Sequence, residues 1–211
     1  CEGFSLEYRN VILKDGDGTV YHFTRNSEEE DFISSLGSYV NLEAKKEEQK
    51  KLVNISCDGT GEKREIIYKF ILTTKDGLSY YFDIGGKLLY MEEANGNFVI
   101  FEHEKQKGRL YRMVTNNNSE ISFEYYSEND KDGQTDPLLV KQITMPDGSR
   151  VKYEYTSSHE NSDLQLLTSV TEYAADDEAE EHGITYEYGY EDTLIIGGAL
   201  NLDSIKDATG E

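Results

Sequence analysis

Pairs of large rings in the pattern ring-any-ring recur at the ends of alternating segments: Tyr80/Phe82, Phe101/His103, Phe123/Tyr125, Tyr153/Tyr155 and Tyr186/Tyr188. An earlier segment, Asp17-Gly18-Thr19-Val20-Tyr21-His22-Phe23, keeps the spacing of Asp76-Gly77-Leu78-Ser79-Tyr80-Tyr81-Phe82. Such a repeat constrains the fold more than any single residue, because each copy buries its apolar face only against its neighbours. It also points away from chemistry at one place and toward a surface, a shell or a scaffold.

Two copies are regular. Gly86-Lys87-Leu88-Leu89-Tyr90-Met91 returns as Gly108-Arg109-Leu110-Tyr111-Arg112-Met113, 22 residues later, and Phe101 returns as Phe123 at the same interval. Each unit reads as a Gly-Lys/Arg-Leu strand, a polar turn and a strand ending in the ring pair. The turns, Ala94-Asn95-Gly96-Asn97 and Asn116-Asn117-Asn118-Ser119, are rich in residues that tolerate the positive φ of a tight hairpin. Ile121, Phe123 and Tyr125 alternate with Ser122 and Glu124; Val151, Tyr153 and Tyr155 with Lys152 and Glu154; Ile184, Tyr186 and Tyr188 with Thr185 and Glu187. This period of two gives each hairpin one apolar and one polar face. Lone hairpins are marginal in water, so they must pair edge to edge. The expected fold is all-β: consecutive antiparallel hairpins in a continuous, twisted repeat sheet, with Gly86, Gly96, Gly108 and Gly148 at its turns.

Later copies stretch: Phe123 to Tyr153 is 30 residues and Tyr153 to Tyr186 is 33. Polar insertions at 127–136, 157–163 and 174–182 account for the excess and fit loops at hairpin ends. Residues 202–210 parallel 140–148 and read as the start of a further, truncated unit. Residues 1–71 form a less regular β region, with strands at 6–13, 20–23 and 66–73. A short helix is expected within 27–36, where Ser27 fits an N-cap, and a polar loop with helical turns at 44–52. Hairpin repeats occupy 72–211.

Net charge is -21, a field that repels phosphate backbones and anionic surfaces, so nucleic-acid binding is not expected. No apolar run reaches the roughly 18–20 residues of a membrane-spanning helix, and no membrane insertion is expected. Cys1 and Cys57 make no disulfide framework; Cys1 fits a bridge partner or a lipid attachment point, and a boundary better than either.

At this point the chain resembles the RHS/YD-repeat proteins, whose units follow Gly-Arg-Leu, then Gly, then Tyr-x-Tyr-Asp. Gly86-Lys87-Leu88, Asn95-Gly96-Asn97 and Phe101-Glu102-His103 carry the resemblance, as do Gly108-Arg109-Leu110, Phe123-Glu124-Tyr125 and Asp147-Gly148-Ser149-Arg150-Val151-Lys152-Tyr153-Glu154-Tyr155. It covers residues 72–190. The family's final Asp is kept as Asp83 and approximated by Glu104, whereas Tyr126, Thr156 and Gly189 replace it elsewhere. The resemblance implies a spiralling β-shell segment of a large bacterial secreted or surface protein, with the rest of the array and a C-terminal toxin domain as partners.

Candidate chemistry is sparse. His22, His103, His159 and His182 lack metal-ligand spacing, residues 130–136 miss the calcium-loop pattern because Leu139 stands where its last glutamate belongs, and no nucleophile elbow, P-loop or zinc motif occurs. No metal, cofactor or enzymatic activity is expected. The ring pairs read as cross-strand packing; the alternative is a surface module that holds a glycan or protein ligand on exposed tyrosines.

Overall fold

The structure, a computed structural model, describes residues 9–14, 18–27, 31–34, 40–55, 61–127, 138–157, 165–177, 179–190 and 202–207. Among these residues every regular element is a β-strand and none is a helix. Asn10–Lys14 (β1), Val20–Thr24 (β2) and Ile33–Ser34 (β3) form one antiparallel sheet in chain order. A second, twelve-stranded sheet also runs in chain order. It comprises Val40–Ile55 (β4), Glu62–Thr74 (β5), Ser79–Phe82 (β6), Leu88–Glu92 (β7), Phe98–His103 (β8), Leu110–Thr115 (β9), Glu120–Tyr125 (β10), Val140–Thr144 (β11), Arg150–Ser157 (β12), Gln165–Tyr173 (β13), Ile184–Tyr190 (β14) and Leu202–Lys206 (β15). Position 72 falls inside β5. The chain divides into two compact units, residues 1–102 with 114–119, and residues 103–113 with 120–211.

Two expectations for the N-terminal region are corrected. Residues 44–52 are strand, not a loop with helical turns, and lie within β4. Their Lys/Glu/Gln composition favours helix, but β5 offers a long unpaired ladder edge and an apolar row, and pairing with it overrides local preference. The surplus chain is absorbed at one point: between the pairs Ala44↔Phe70 and Gln49↔Tyr68, residues 45–48 of β4 stand opposite Lys69 alone. Within 27–36, Ile33–Ser34 is strand, while residues 28–30 and 35–36 lie outside the described residues, as do Cys1, Cys57, His159 and the segment 130–136.

Five hairpins close with the same short turn, which explains the Asn/Gly signature. In each, the first residue donates its N–H to the carbonyl four residues on and accepts the N–H three residues on. The pairs are Thr74–Leu78 with Gly77, Asp83–Lys87 with Gly86, Glu93–Asn97 with Gly96, Thr115–Ser119 with Asn118, and Met145–Ser149 with Gly148. The fourth residue is left-handed every time, with φ of 88°, 83°, 89°, 62° and 89° in that order, the geometry of a type I turn ending in a glycine bulge. Asn95, Asn117 and Asp147 brace the turn by accepting the N–H two residues on, at 2.9, 3.2 and 2.9 Å. Gly108 (φ 70°) closes a turn one residue longer, between Glu104 and Arg109. A Cβ at Gly96 meets nothing within 4 Å, so Gly96→Ala carries backbone strain alone. We expect a loss of about 1–2 kcal/mol in urea unfolding, with Gly96→Asn close to neutral, because Asn118 already fills that conformation.

The first unit has two cores. Phe23, Phe32, Leu42, Phe70 and Leu72 form one, with Tyr80 and Phe82 packed against it. Val53, Ile55, Ile66, Tyr90, Ile100 and Val114 form the other, joined by Tyr81 and Phe98. Neighbouring residues on a strand point to opposite faces, so at β6 the two cores lie on opposite sides of the sheet. The β4–β5 hairpin contributes to both, one half on each side of the irregularity at 45–48. In the second unit only Tyr126 and Ser169 are fully buried among the described residues.

Candidate functional site

At four corresponding places in the ladder, each at the end of a row of rings, the register breaks. Between β6 and β7, Tyr81 faces Tyr90 but Phe82 faces Leu88, so Leu89 is extra. Between β10 and β11, Glu124 faces Gln142 and Tyr125 faces Val140, leaving Lys141 over. Between β12 and β13, Glu154 faces Ser169 and Tyr155 faces Leu167, leaving Thr168. Between β14 and β15, Gly189 faces Ser204 and Tyr190 faces Leu202, leaving Asp203. The second ring therefore marks a β-bulge on the following strand. A bulge bends the strand and increases its right-handed twist.

This register reassigns the last copy. Tyr188 faces Ile205 as Phe123 faces Ile143 and Tyr153 faces Val170, so the structural counterpart of Phe123/Tyr125 is Tyr188/Tyr190, not Tyr186/Tyr188. Tyr186 instead faces Val170 from the other edge of β13. Leu202 and Ile205 take the places of Val140 and Ile143. The hydroxyls agree: Tyr125 donates to the Leu110 carbonyl at 2.6 Å and Tyr190 to the Leu167 carbonyl at 2.9 Å, in each case tying the last ring of a hairpin to its first strand. Tyr126, the residue after the ring pair, reaches past β11 to the Tyr153 carbonyl at 2.9 Å and stacks edge-on against Tyr155.

All ten ring positions read from the sequence are half-buried. Tyr80 and Phe82 line a cleft of about 450 Å³ with Leu13, Tyr21 and Leu72. Phe101 and His103 end β8. Phe123, Tyr153, Tyr155, Tyr186 and Tyr188 face aliphatic partners across the strands, not one another. The sequence missed Tyr90, 1% exposed at the centre of the second core. Its signal was present: Leu88-Leu89-Tyr90-Met91 is apolar on both faces, the mark of a strand covered on both sides.

Cations sit over several aromatic rings, Tyr125 of the ring pairs among them, and a carboxylate holds most of these cations. Arg109 lies 4.3 Å from the Tyr125 ring centre and binds Glu104 through two nitrogens, at 2.8 and 2.6 Å. Lys51 lies over Tyr81 and Tyr90, at 4.7 and 4.8 Å, and pairs with Glu92. Arg150 and Lys152 approach Tyr173 and both pair with Glu180. Burial pulls the Lys51 ammonium toward neutrality, but Glu92 and Tyr81 outweigh it and its pKa lies above the ordinary value. Burial pushes the phenol pKa up at Tyr90, Tyr125 and Tyr155, so these hydroxyls stay protonated, the form that donates a hydrogen bond. Among the described residues no group of His, Cys, Asp and Glu is placed to hold a metal ion, and no helix is long and apolar enough to cross a membrane. His182 stands 3.8 Å from Asp177, whose carboxylate instead accepts the backbone N–H groups of Glu181 and His182.

The Arg109 clamp sets an acid response. Its hydrogen bonds hold the Glu104 carboxyl below the ordinary value of 4.5. A depressed folded-state pKa stabilises above the unfolded value, and the contribution is lost as pH falls through the folded one. Glu104→Gln is therefore expected to lower stability near neutrality and to converge with the native chain as pH falls through the depressed Glu104 pKa, as measured by urea unfolding over an acid pH series.

Within the first unit a shallow groove of about 290 Å³ runs beside the turn tips, lined by Met91, Glu93, Asn97, Phe98, Thr115 and Asn116 among others. No protein-family model matches this sequence, and neither does any curated protein.

Proposed function

We propose that the chain is a non-enzymatic structural segment of an RHS/YD-repeat β-shell, in a large bacterial secreted or surface protein that encloses or presents a C-terminal toxin. The observation that carries the proposal is the bulge opposite the second ring, recurring at Phe82, Tyr125, Tyr155 and Tyr190. One extra residue at the same place in four copies adds twist repeatedly along the sheet, a device by which a sheet can coil. The half-buried rings then serve as packing along the row, and the protonated tyrosines as ties between strands. Determining the coding sequence on both sides of these residues tests the reading: it expects further ring-bulge units, a closing segment and a variable terminal domain, and a stop codon directly after Glu211 contradicts it.

A second reading, a glycan- or protein-binding β-repeat module, is favoured by the groove beside Phe98, where amide and carboxylate groups rim an apolar floor. A glycan array decides it. Binding lost on Phe98→Ala or Tyr153→Ala in a folded chain supports this module; an array with no signal speaks against it.

A further inference from the structure

We infer that the edge at β4 is a built stop, which refuses a further strand and so turns away a second copy of this chain or any extended peptide. Its biological meaning as the capped end of an array rests on the repeat-shell reading; the edge chemistry does not. A sheet edge recruits strands through a straight row of outward N–H and C=O groups, and proteins blunt it with bulges and charge. At β4 both devices coincide. Residues 45–48 oppose Lys69 alone, so the row is broken near its middle. The irregular backbone is also held by this chain's own side chains: Lys69 Nζ donates to the Lys46 carbonyl at 2.7 Å, and Gln49 Nε2 donates to the Glu47 carbonyl at 3.2 Å. The flanking charge of Lys50 is engaged by Glu65 of the neighbouring strand.

Beyond the break, the hairpin presents Val53, Ile55 and Ile66 to Tyr90, Ile100 and Val114. One element thus blunts the edge and covers an apolar face, the two tasks of a terminal repeat. The last strand in the sheet order, β15, carries a single-residue bulge at Asp203 but, among the described residues, no four-residue break of this kind. Leu202 and Ile205, 49% and 54% exposed, hold the register that Val140 and Ile143 hold in β11, the strand whose far edge carries β12.

The test uses the full chain with Cys1 and Cys57 replaced by serine and one spin label at Glu43→Cys or Asp203→Cys. Intermolecular dipolar distances are measured over a concentration series. The native edge is expected to give no short 43–43′ distance at any concentration, whatever the label at 203 reports. Replacing residues 45–48 by a single threonine restores a regular ladder opposite Lys69 and is expected to produce that short distance. If this variant loses its strand circular dichroism, the paired change Lys69→Met with Gln49→Leu keeps the chain length, frees the carbonyls of Lys46 and Glu47, and decides instead. Pairing through position 43 in the native chain overturns the inference, as does its absence in a folded variant with the edge opened. Neither result depends on what lies beside these residues in the gene, so failure of the shell reading and failure of the stop are separable.

Discussion

Replacing Tyr90 with alanine is expected to cost about 3–5 kcal/mol of unfolding free energy, the range for deleting a large ring from a packed interior. Tyr90 is 1% exposed and contacts both the folded-over half of the β4–β5 hairpin and the row formed with Ile100 and Val114. Tyr81 packs edge-on to it at 5.2 Å and Phe98 lies tilted at 5.5 Å. No single neighbour can refill the space, because the neighbours are spread over several paired strands. Lys51 would lose the surface of one of the two rings it lies over. Tyr90→Phe keeps that surface and is expected to retain most of the stability. Tyr186→Ala removes a half-buried ring that faces Val170, a cross-strand pair worth about 0.2–1 kcal/mol, and should cost clearly less. Urea unfolding of the three variants checks the order; an equal loss at Tyr90 and Tyr186 contradicts the two-faced core.

Phe23→Ala is the counterpart on the other face, also with an expected loss of about 3–5 kcal/mol. Phe23, 1% exposed, joins the small sheet to Leu42, Phe70 and Leu72 of the large one, with Val11, Leu13 and Tyr21 packed around it. Its loss should act locally, because β1–β3 meet the rest of the first unit through this cluster. Native-state hydrogen exchange is expected to show faster exchange at Ile12 and His22 while the amides of Tyr90 and Ile100 keep their protection. Uniform loss of protection would mean that the two cores unfold as one.

The strands with charged outer faces were legible in the sequence, because Ile121-Ser122-Phe123-Glu124-Tyr125 and its relatives admit one sided arrangement. So were the short turns, since Gly96 and Asn118 announce positive φ. Strand β4 was not legible. Its Lys/Glu/Gln run has no strand preference of its own, and its conformation comes from β5, a partner of contrasting composition. The place of the bulges was equally hidden. A bulge changes pairing without changing alternation, so Tyr155 looks the same in sequence whether Leu167 or Thr168 stands opposite. The last copy shows the consequence: Ile184, Tyr186, Tyr188 and Tyr190 alternate without interruption, and only the register identifies Tyr188 and Tyr190 as the pair at the bulge. The charge of -21 speaks to partners and not to pairing, and it gave no hint that cations would lie over Tyr81, Tyr125 and Tyr173.

The central claim is that a bulge opposite the last ring, recurring at Phe82, Tyr125, Tyr155 and Tyr190, shapes this sheet. Cross-strand nuclear Overhauser contacts in solution test it most directly. The account predicts contacts of Tyr125 with Val140, Tyr155 with Leu167 and Tyr190 with Leu202, with Lys141, Thr168 and Asp203 facing none of the three tyrosines. Contacts of the same three tyrosines with Lys141, Thr168 and Asp203 would show an unbroken ladder and contradict it.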